Sequence, residues 1–399
     1  MPGPAPAPAD PPASAARSAA RAWLHAILTG LAAWALLRLV ATAAAFASAG
    51  LLAGGLTIQV PGYVPPHFAG GDEALLGVWL RADALWYLRI AESGYRGDPG
   101  TFAFLPLFPI LTRALTPLVG GNEVIAALIV ANAACLIGLV VLCRLVDLLI
   151  GPSAARAAAF GLALSPTAFF LVAPYAEPLL LAAGACALLA VARGHPAVAW
   201  MAGVLAGLAR PFGVLLSIPM LALAKRGAGR TWAAATGPLV GLGIWLAWVW
   251  AVTSEPTGGL GVQSRWQRTL TLPVVTLLEG AKAWWRLRAT DFGPYFLLDL
   301  AAAAALVAMA IGLLFVQRRH GGAALLGFAA YTAAVMGAAL VAPFPPRPLL
   351  SLPRFVLAAF PGFAACALIP RRARVPLAVL SAAGLGALTA LFIAARPIF

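Results

Sequence analysis

The sequence predicts an all-α polytopic membrane protein, and two features of its composition lead to that fold class. Of its 399 residues, 62% are hydrophobic and 10% are charged, whereas soluble globular domains carry about 25% charged residues. Apolar runs also recur at lengths near the ~20 residues that a helix needs to cross a bilayer. The sequence contains no glycine-rich phosphate-binding motif and no Asp-x-Asp pair, so it does not indicate a nucleotide-binding enzyme.

The apolar runs predict about 9–11 membrane segments. The nine continuous candidates are 22–52, 123–150, 154–173, 175–193, 231–253, 291–316, 321–342, 353–370 and 375–396. A tenth stretch, 193–225, is interrupted at Arg210-Pro211, and halves of about 12 residues rise too little to cross a ~30 Å core. We therefore expect a half-depth hairpin there. The proline-rich segment 102–118 predicts a re-entrant or interfacial piece.

The ends of the apolar runs predict the topology. Residues 1–20 are rich in Ala and Pro and predict a disordered cytoplasmic tail, and residues 21–399 predict a single transmembrane domain. The run 22–52 is too long for the core of a cleavable signal peptide, so we expect a retained helix. Clusters of arginine fall on one side, which is cytoplasmic by the positive-inside rule. Three loops then face outward from the inner (plasma) membrane, 54–122, 254–290 and 343–354, together with the short turn at 173–177.

The first outer loop holds an unusual concentration of charge. Only 13 residues of the chain are acidic, and five of them fall within 27 positions: Asp72, Glu73, Asp83, Glu92 and Asp98. Because charge near a bilayer is costly, it marks functional positions by default. This loop is therefore where we expect the chemistry.

Residues 74–94 predict an amphipathic helix lying in the outer interface. Apolar side chains recur there at spacings of three and four: Leu75, Trp79, Ala82, Trp86 and Ile90. Trp79 and Trp86 would then lie at headgroup depth. The alternative for Asp83 is a solvated interface charge paired with Arg81 or Arg89.

Further candidates lie at breaks in the apolar pattern. Arg210 interrupts an apolar stretch and needs an anionic partner. Its guanidinium suits phosphate, and the alternative is a structural pair with Asp147 or Glu177. Glu177 itself marks either an ordinary hairpin turn or a carboxylate that holds an arginine or a substrate hydroxyl. More candidates lie on the second and third outer loops, where single residues also fit an interfacial anchor or ordinary loop arginines: Gln263, Trp266, Arg268, Arg347 and Arg354. Together, several outward arginines favour an anionic ligand.

Several motifs of the sequence resemble those of a known family. The stretch RADALWYLRIAESGY (81–95), followed by FAFLPLFP (102–109), resembles the phosphatidylinositol-glycan class V (PIG-V) mannosyltransferases and their bacterial relatives, which are GT-C glycosyltransferases. Weaker matches follow in order and extend the resemblance over about 74–361: Ser165-Pro166 with Tyr175-Ala176-Glu177, Ala209-Arg210, Gln263-x-x-Trp266-x-Arg268 and Pro353-Arg354-Phe355. Four positions depart from the family pattern and put acceptor identity in doubt: Ala82, Ser165, Ala176 and Phe212.

The resemblance implies a GT-C fold and a reaction. Family members move mannose, or a similar hexose, from a polyprenyl-phosphate sugar to a lipid, glycan or protein acceptor, extracytoplasmically and with inversion. One carboxylate suffices as base for such a transfer, and we assign that role to Asp83. Arg210 and Arg354 would bind the donor phosphate, and the remaining candidates would orient substrate: Trp86, Tyr87, Glu177, Gln263 and Arg268. No metal, other cofactor or nucleic-acid partner is indicated.

Two other functions compete with this one. A secondary transporter or lipid-linked-sugar flippase would use charges near the midplane, and Arg144, Asp147, Arg210 and Asp299 are the candidates for it. A non-catalytic scaffold, such as an inactive partner of a transferase, is the third possibility.

Overall fold

The computed structural model describes residues 13–49, 59–224, 229–255, 268 and 270–394. Within these residues it is helical and holds no β-strand beyond a single bridge between Phe344 and Arg347. The α-helices in chain order are α1 Ala13–Ala49, α2 Gly71–Leu75, α3 Asp83–Ser93, α4 Leu107–Leu115, α5 Glu123–Leu149, α6 Pro152–Ala163, α7 Glu177–Arg193, α8 Pro196–Ala209, α9 Ser217–Leu223, α10 Gly229–Ala234, α11 Gly237–Thr253, α12 Pro273–Leu287, α13 Gly293–His320, α14 Ala323–Val341, α15 Leu352–Ala358 and α16 Arg371–Ile393.

Six stretches of the described chain are long and apolar enough to cross a membrane. They are Ala16–Ser48, Glu123–Leu149, Gly229–Thr253, Gly293–His320, Ala323–Val341 and Arg371–Ile393. Shorter apolar helices lie at Leu107–Val119, Pro196–Ala209 and Pro211–Leu223. The protein is therefore a multi-pass membrane protein, as the composition predicts.

Short local signals set the helix ends around the site. The Asn122 side chain accepts hydrogen bonds from two backbone N–H groups of α5, those of Val124 and Ile125, at 3.0 Å, which is an N-cap. Helix α7 has proline in its first turn and ends at Gly194 in the left-handed conformation. These signals fix where Glu177 and Arg193 lie on α7, at opposite ends.

The predicted break at Arg210-Pro211 is confirmed. Helix α8 ends at Ala209, Arg210 is extended, and a 3-10 helix, Pro211–Leu216, leads into α9. Proline disfavours the helical conformation in the residue before it and lacks an N–H. A Cβ at Gly213 would lie 2.1 Å from the carbonyl oxygen of Ala206, so this return of the chain requires glycine.

Two predicted spans are interrupted. In the run 154–173, α6 ends at Ala163 and a separate 3-10 helix covers Ala168–Leu171. In the run 353–370, α15 ends at Ala358 and is followed by a 3-10 helix, Phe360–Leu368. Hydrophobicity alone does not distinguish a straight helix from a buried, broken one, because both remove apolar side chains from water.

At the N-terminal end of the described chain, α1 begins at Ala13, so residues 13–20 of the predicted tail are helical.

The prediction of a surface helix over 74–94 is wrong. The short helix α2 ends at Leu75, a 3-10 helix covers Gly77–Trp79, and α3 begins only at Asp83, after Ala82 at φ 49°. Trp79 and Trp86 are both buried. Arg89 is buried as well, because its guanidinium donates to the carbonyl oxygens of Pro61 at 2.7 Å and Arg96 at 3.1 Å. The loop therefore folds over α3, which becomes part of the core.

Close packing of small residues holds the central helices together. Helix α5 packs on α1 and α7, α7 packs on α8, and α8 packs on α11. A Cβ at Gly207 would lie 2.2 Å from the Pro238 carbonyl oxygen, and one at Gly241 would lie 2.2 Å from that of Val204. Glycine thus lets the backbones of α8 and α11 approach closely, as small residues do between membrane helices.

Candidate active site

Four charged side chains from four separate segments meet at one place. Asp83 begins α3, Glu177 begins α7, Arg210 follows α8 and Arg354 lies in α15. The Arg354 Nη1 atom lies 2.5 Å from Asp83 Oδ2, and its Nε lies 3.2 Å from Glu177 Oε1. The Arg210 Nη1 atom lies 3.2 Å from the same Glu177 oxygen. We call these four residues the charged cluster.

Glu177 is the centre of the charged cluster and is deeply buried. Its side chain is 3% exposed, and both of its oxygens lack a hydrogen bond of good geometry. The two guanidinium groups therefore hold it by charge at contact distance, and its lone pairs stay available. A buried carboxylate needs such compensation, because its isolated charge would be expensive in a low dielectric.

Asp83 is the open member of the charged cluster. Its side chain is 28% exposed, whereas that of Arg354 is 11% exposed. Two carboxylates face two guanidinium groups, so the formal charges balance. An incoming anion would meet two cations, and a neutral hydroxyl group would meet an accessible carboxylate.

Aromatic side chains hold the Arg354 guanidinium in place. Its central carbon lies over the rings of Phe170, Tyr175 and Phe355 at 5.7, 5.8 and 5.5 Å from their centroids. Such contacts are attractive within about 6 Å. The Tyr175 hydroxyl group donates to the Arg81 carbonyl oxygen at 3.1 Å, which ties this aromatic wall to the residues just before Asp83.

Tyr87 lies at the edge of the charged cluster. Arg210 Nη1 donates to its hydroxyl oxygen over a long 3.5 Å contact. Burial raises the pKa of Tyr87 to about 12, and the carboxylates of Glu177 and Asp83 add to that rise while the two arginines oppose it. Its hydroxyl group therefore stays protonated at neutral pH. Trp86 stacks on Phe104 with the ring centroids 5.5 Å apart.

Arg268 is the predicted site residue of the second outer loop that the structure describes. Its Nη1 atom donates to the Ala342 carbonyl oxygen at 3.0 Å. Burial lowers the pKa of Arg268, and the nearby charge of Arg354 lowers it further while Asp83 opposes the effect. Arg268 is thus within electrostatic reach of the charged cluster. Gln263 and Trp266 lie outside the described residues.

The alternative for Asp83, a solvated charge paired with Arg81 or Arg89, is not what the structure shows, since its partner is Arg354. Arg81 donates to the carbonyl oxygens of Ile393 and Leu80 at 3.1 Å. Arg89 donates to the carbonyl oxygens of Pro61 and Arg96, so neither arginine is the partner of the Asp83 carboxylate. For Arg210, the alternative of a pair with Glu177 is confirmed. Asp147 instead lies 2.9 Å from Arg144.

One buried ion pair was missed altogether. Arg347 donates to both oxygens of Asp299, at 2.6 and 2.8 Å, and to the Tyr295 carbonyl oxygen at 3.1 Å. The sequence suggests a transport role for Asp299 and a loop position for Arg347. It indicates the pair only through the presence of both charges at apolar positions. The pair ties the third outer loop, which also carries Arg354, to α13.

Two departures from the family pattern lie beside the charged cluster. Ala82 adopts φ 49° directly before Asp83, a conformation that costs a non-glycine residue about 1–3 kcal/mol. Phe212 packs edge-to-face on Phe355, with the ring centroids 4.7 Å apart. An apolar residue at position 212 therefore supports the helix that carries Arg354. Within the described part of the chain, no three His, Cys, Asp or Glu side chains are placed to hold a metal ion.

The comparisons with known proteins agree with the motifs. Residues 41–226 match the mannosyltransferase (PIG-V) family. This segment contains Asp83, Glu177 and Arg210, and the match confirms the resemblance that the motifs predict for this part of the chain. The GT-C architecture is the fold that this family implies. A search of curated proteins returns no significant match.

Solved structures similar to this chain are oligosaccharyltransferases of the archaeon Archaeoglobus fulgidus. The apo form is 13% identical with a TM-score of 0.45, covering 93% of this chain and 56% of that one. A complex with an inhibitory peptide and a dolichol-phosphate is 12% identical with a TM-score of 0.41, covering 93% and 56%. A complex with Zn and sulfate is 14% identical with a TM-score of 0.40, covering 90% and 53%. The chain spans about half the length of these structures, and TM-scores of this size are too low to establish a shared fold.

Proposed function

We propose that this protein is an integral membrane glycosyltransferase that moves mannose, or a similar hexose, from a polyprenyl-phosphate sugar to a lipid, glycan or protein acceptor. The observation that carries the proposal is the charged cluster. It offers one accessible carboxylate beside two guanidinium groups, and three of its four members lie inside the segment that matches the PIG-V family.

Arg354 and Arg210 bind the phosphate of the donor. Guanidinium groups form paired hydrogen bonds with phosphate oxygens, and both side chains already converge on one oxygen of Glu177. As the bond between the sugar and the phosphate breaks, negative charge grows on the leaving polyprenyl phosphate. The two cations stabilise that charge in a water-poor site.

Asp83 is the general base for the transfer. The acceptor oxygen attacks the anomeric carbon from the face opposite the phosphate, which inverts the configuration. The acceptor proton passes to the Asp83 carboxylate, and the electron pair of the broken bond stays on the phosphate oxygen. A single base suffices, because the phosphate leaves without a proton.

Donor binding also prepares Asp83 for this role. Asp83 Oδ2 is held by Arg354 at 2.5 Å, so the oxygen that must take the proton is occupied. A donor phosphate competes for the same guanidinium and frees that oxygen for the acceptor. Glu177 remains in place, and its Oε2 atom, which has no hydrogen-bond partner, accepts a hydrogen bond from a sugar or acceptor hydroxyl group.

The geometry of α7 supports an extracytoplasmic site in the inner (plasma) membrane. Glu177 and Arg193 occupy the two ends of this helix of 17 residues, which spans about 26 Å at 1.5 Å per residue. Arg193 belongs to the basic positions that mark the cytoplasmic side. The charged cluster then faces outward, where lipid-phosphate sugars are available and nucleotide sugars are not.

The transporter hypothesis finds less support in the distribution of charge. Its candidate residues form local pairs, Arg144 with Asp147 and Asp299 with Arg347, while Arg210 belongs to the charged cluster. A relay of charges along a translocation path would need them to exchange partners. A scaffold would not need an open carboxylate beside two cations.

The test is a transfer assay with radiolabelled polyprenyl-phosphate mannose. Membranes containing the protein are incubated with the donor, and label is sought in a new lipid, glycan or protein product. Asp83→Asn is assayed in parallel. We expect transfer by the wild-type protein and none by the variant.

Other outcomes decide among the alternatives. Transfer by both proteins would keep the enzyme and remove Asp83 as the base. Failure with mannose, glucose and arabinose donors, combined with flipping of the lipid in proteoliposomes, would replace the enzyme with a transporter. A change in complex assembly without any chemistry would favour the scaffold.

A further inference from the structure

Arg38 carries a positive charge inside the first membrane helix and has no hydrogen-bond or ion-pair partner among the described residues. It lies in the candidate span Ala16–Ser48. Its Nη1 atom is buried without a hydrogen bond, and its guanidinium carbon lies 5.5 Å from the ring centroid of Trp79. In the sequence, this unpartnered charge could be recognised as an arginine within the long apolar run 22–52.

No carboxylate side chain in the described part of the chain lies close enough to Arg38 to compensate its charge. Of the chain's 13 acidic residues, only Asp10 lies outside the described part. Asp10 precedes α1 by three residues, a reach of about 11 Å. Arg38 lies about 37 Å along the axis from the start of α1 at Ala13. In contrast, Arg144 inside α5 has a partner, Asp147 at 2.9 Å.

The depth of Arg38 matches the outer headgroup region. Arg21 marks the cytoplasmic end of the first span, and Arg38 lies about 26 Å farther along the helix. The hydrocarbon core is about 30 Å thick, so with Arg21 at the inner boundary the backbone of Arg38 lies about 4 Å short of the outer one. Trp79, which belongs to the first outer loop, lies at the same level.

Arg38 lies at the surface of the helices with its side chain half-buried, although its Nη1 atom is buried. The adjacent Leu39 is 65% exposed, and Leu31 and Phe46 on the same helix are also exposed. Trp79 covers one side of the guanidinium and is itself fully buried. Arg81 does not compete for a ligand, because its guanidinium donates to the carbonyl oxygens of Ile393 and Leu80.

We propose that Arg38, held against Trp79, binds the phosphate group of an anionic phospholipid in the outer half of the bilayer. Guanidinium matches phosphate in geometry and charge, and an intramembrane arginine needs an anion. The exposed Leu31 side chain, about two turns inward from Arg38 on α1, contacts the acyl chains. The site is separate from Arg210 and Arg354, and the lipid fastens α1 to the segment that leads into Asp83.

Thermal unfolding of the purified full-length protein tests this site without any assay of activity. The protein in an uncharged maltoside detergent receives phosphatidylglycerol, phosphatidylcholine or inorganic phosphate, and the unfolding temperature is recorded. We expect phosphatidylglycerol to raise it, because a ligand that binds the folded state stabilises it. Arg38→Gln should lose most of that shift, and Arg38→Lys should keep part of it. Arg113→Gln, a change of an exposed arginine on α4, is the matched control and should keep the whole shift.

The stability without lipid gives a second, independent result. Removing this uncompensated cation breaks no hydrogen bond or ion pair with the described residues, so Arg38→Gln in pure detergent should be no less stable than the wild-type protein. A clear loss of stability there would reveal a protein partner and overturn the proposal. So would a full phosphatidylglycerol shift in Arg38→Gln, or an equal Arg38-dependent shift with inorganic phosphate or phosphatidylcholine.

Discussion

Two buried ion-pair systems of this protein differ in how completely they are closed. Asp299 is 1% exposed and receives two hydrogen bonds from Arg347. In the charged cluster, Arg354 is shared between Asp83 and Glu177, and Asp83 remains 28% exposed. A closed, bidentate pair has little left to offer a ligand, whereas a shared and partly open one can exchange partners.

The comparison distinguishes buried charges that only support the fold from buried charges that can also bind a ligand. A buried ion pair is weak evidence for stability in itself, since desolvation offsets much of the attraction. The useful distinction is whether polar atoms remain unsatisfied and accessible. Glu177 keeps two oxygens without hydrogen bonds, and it lies beside the accessible carboxylate of Asp83.

The largest effect should come from the open end of the charged cluster. Asp83→Asn keeps the shape of the side chain and removes its basicity, so we expect the rate of sugar transfer to fall by about 10²–10⁴-fold. Glu92→Gln is the matched control, an exposed carboxylate on the same helix, and should transfer at the wild-type rate. Initial rates in membranes with equal amounts of folded protein provide the measurement. Equal rates for Asp83→Asn and the control would remove the base from the mechanism.

Replacing the shared cation should be nearly as severe. Arg354→Lys keeps the charge but loses the planar fork that reaches Asp83 and Glu177 together. We expect the transfer rate to fall by about 10²-fold, as for loss of one preorganised donor at a developing anion. Arg113→Lys, on an exposed face of α4, controls for the change in residue type. A wild-type rate in Arg354→Lys would show that a point charge is enough.

The closed pair should respond in stability rather than in chemistry. Asp299→Asn leaves Arg347 buried without its countercharge, and we expect a loss of about 3–5 kcal/mol in the free energy of unfolding. The transfer rate per folded molecule should stay unchanged. Thermal unfolding and the assay on the same preparation separate the two quantities. Asp299→Leu combined with Arg347→Met should recover much of the lost stability; failure to recover would show that the pair has a role beyond local charge balance.

A smaller effect is expected at the edge of the charged cluster. Tyr87→Phe removes one hydroxyl group with a long contact to Arg210, so we expect transition-state stabilisation to fall by about 0.5–1.5 kcal/mol. Burial raises the pKa of Tyr87 to about 12. The stability that its neutral form contributes is therefore present below about pH 10 and is lost as the pH rises toward about 12. Between about pH 6 and pH 9, the variant and the wild-type protein should show the same pH–rate profile, and a difference in shape would show that Tyr87 titrates in the reaction.

The smallest effect belongs to an exposed pair. Lys282 lies 2.8 Å from Glu279, and both side chains are about half exposed. Water and salt screen such a pair, so Glu279→Ala should leave the unfolding temperature and the transfer rate at their wild-type values. A measurable drop in either quantity would contradict the view that closure and burial decide the effect.

Much of the site could be predicted because its residues interrupt a simple pattern. Arg210 and Glu177 stand out as charges at the ends of apolar runs, and the motif around Asp83 is specific. The surface helix over 74–94 could not be excluded, because helical spacing predicts which side chains share a face but not what covers that face. Arg89 is buried there only because Pro61 and Arg96 supply acceptors for it.

The membrane class, the break at Arg210-Pro211 and the family resemblance follow from the amino-acid sequence, because each depends on residues that are close together in the chain. The tertiary structure decided which charges meet. Asp83 and Arg354 are 271 positions apart, and Arg81 and Arg89 are nearer in sequence. Their pairing depends on where α3, α7, α8 and α15 end after the helices have packed, and on the aromatic wall that holds Arg354. No local pattern contains that information, since partner choice between buried charges is a property of the packed bundle.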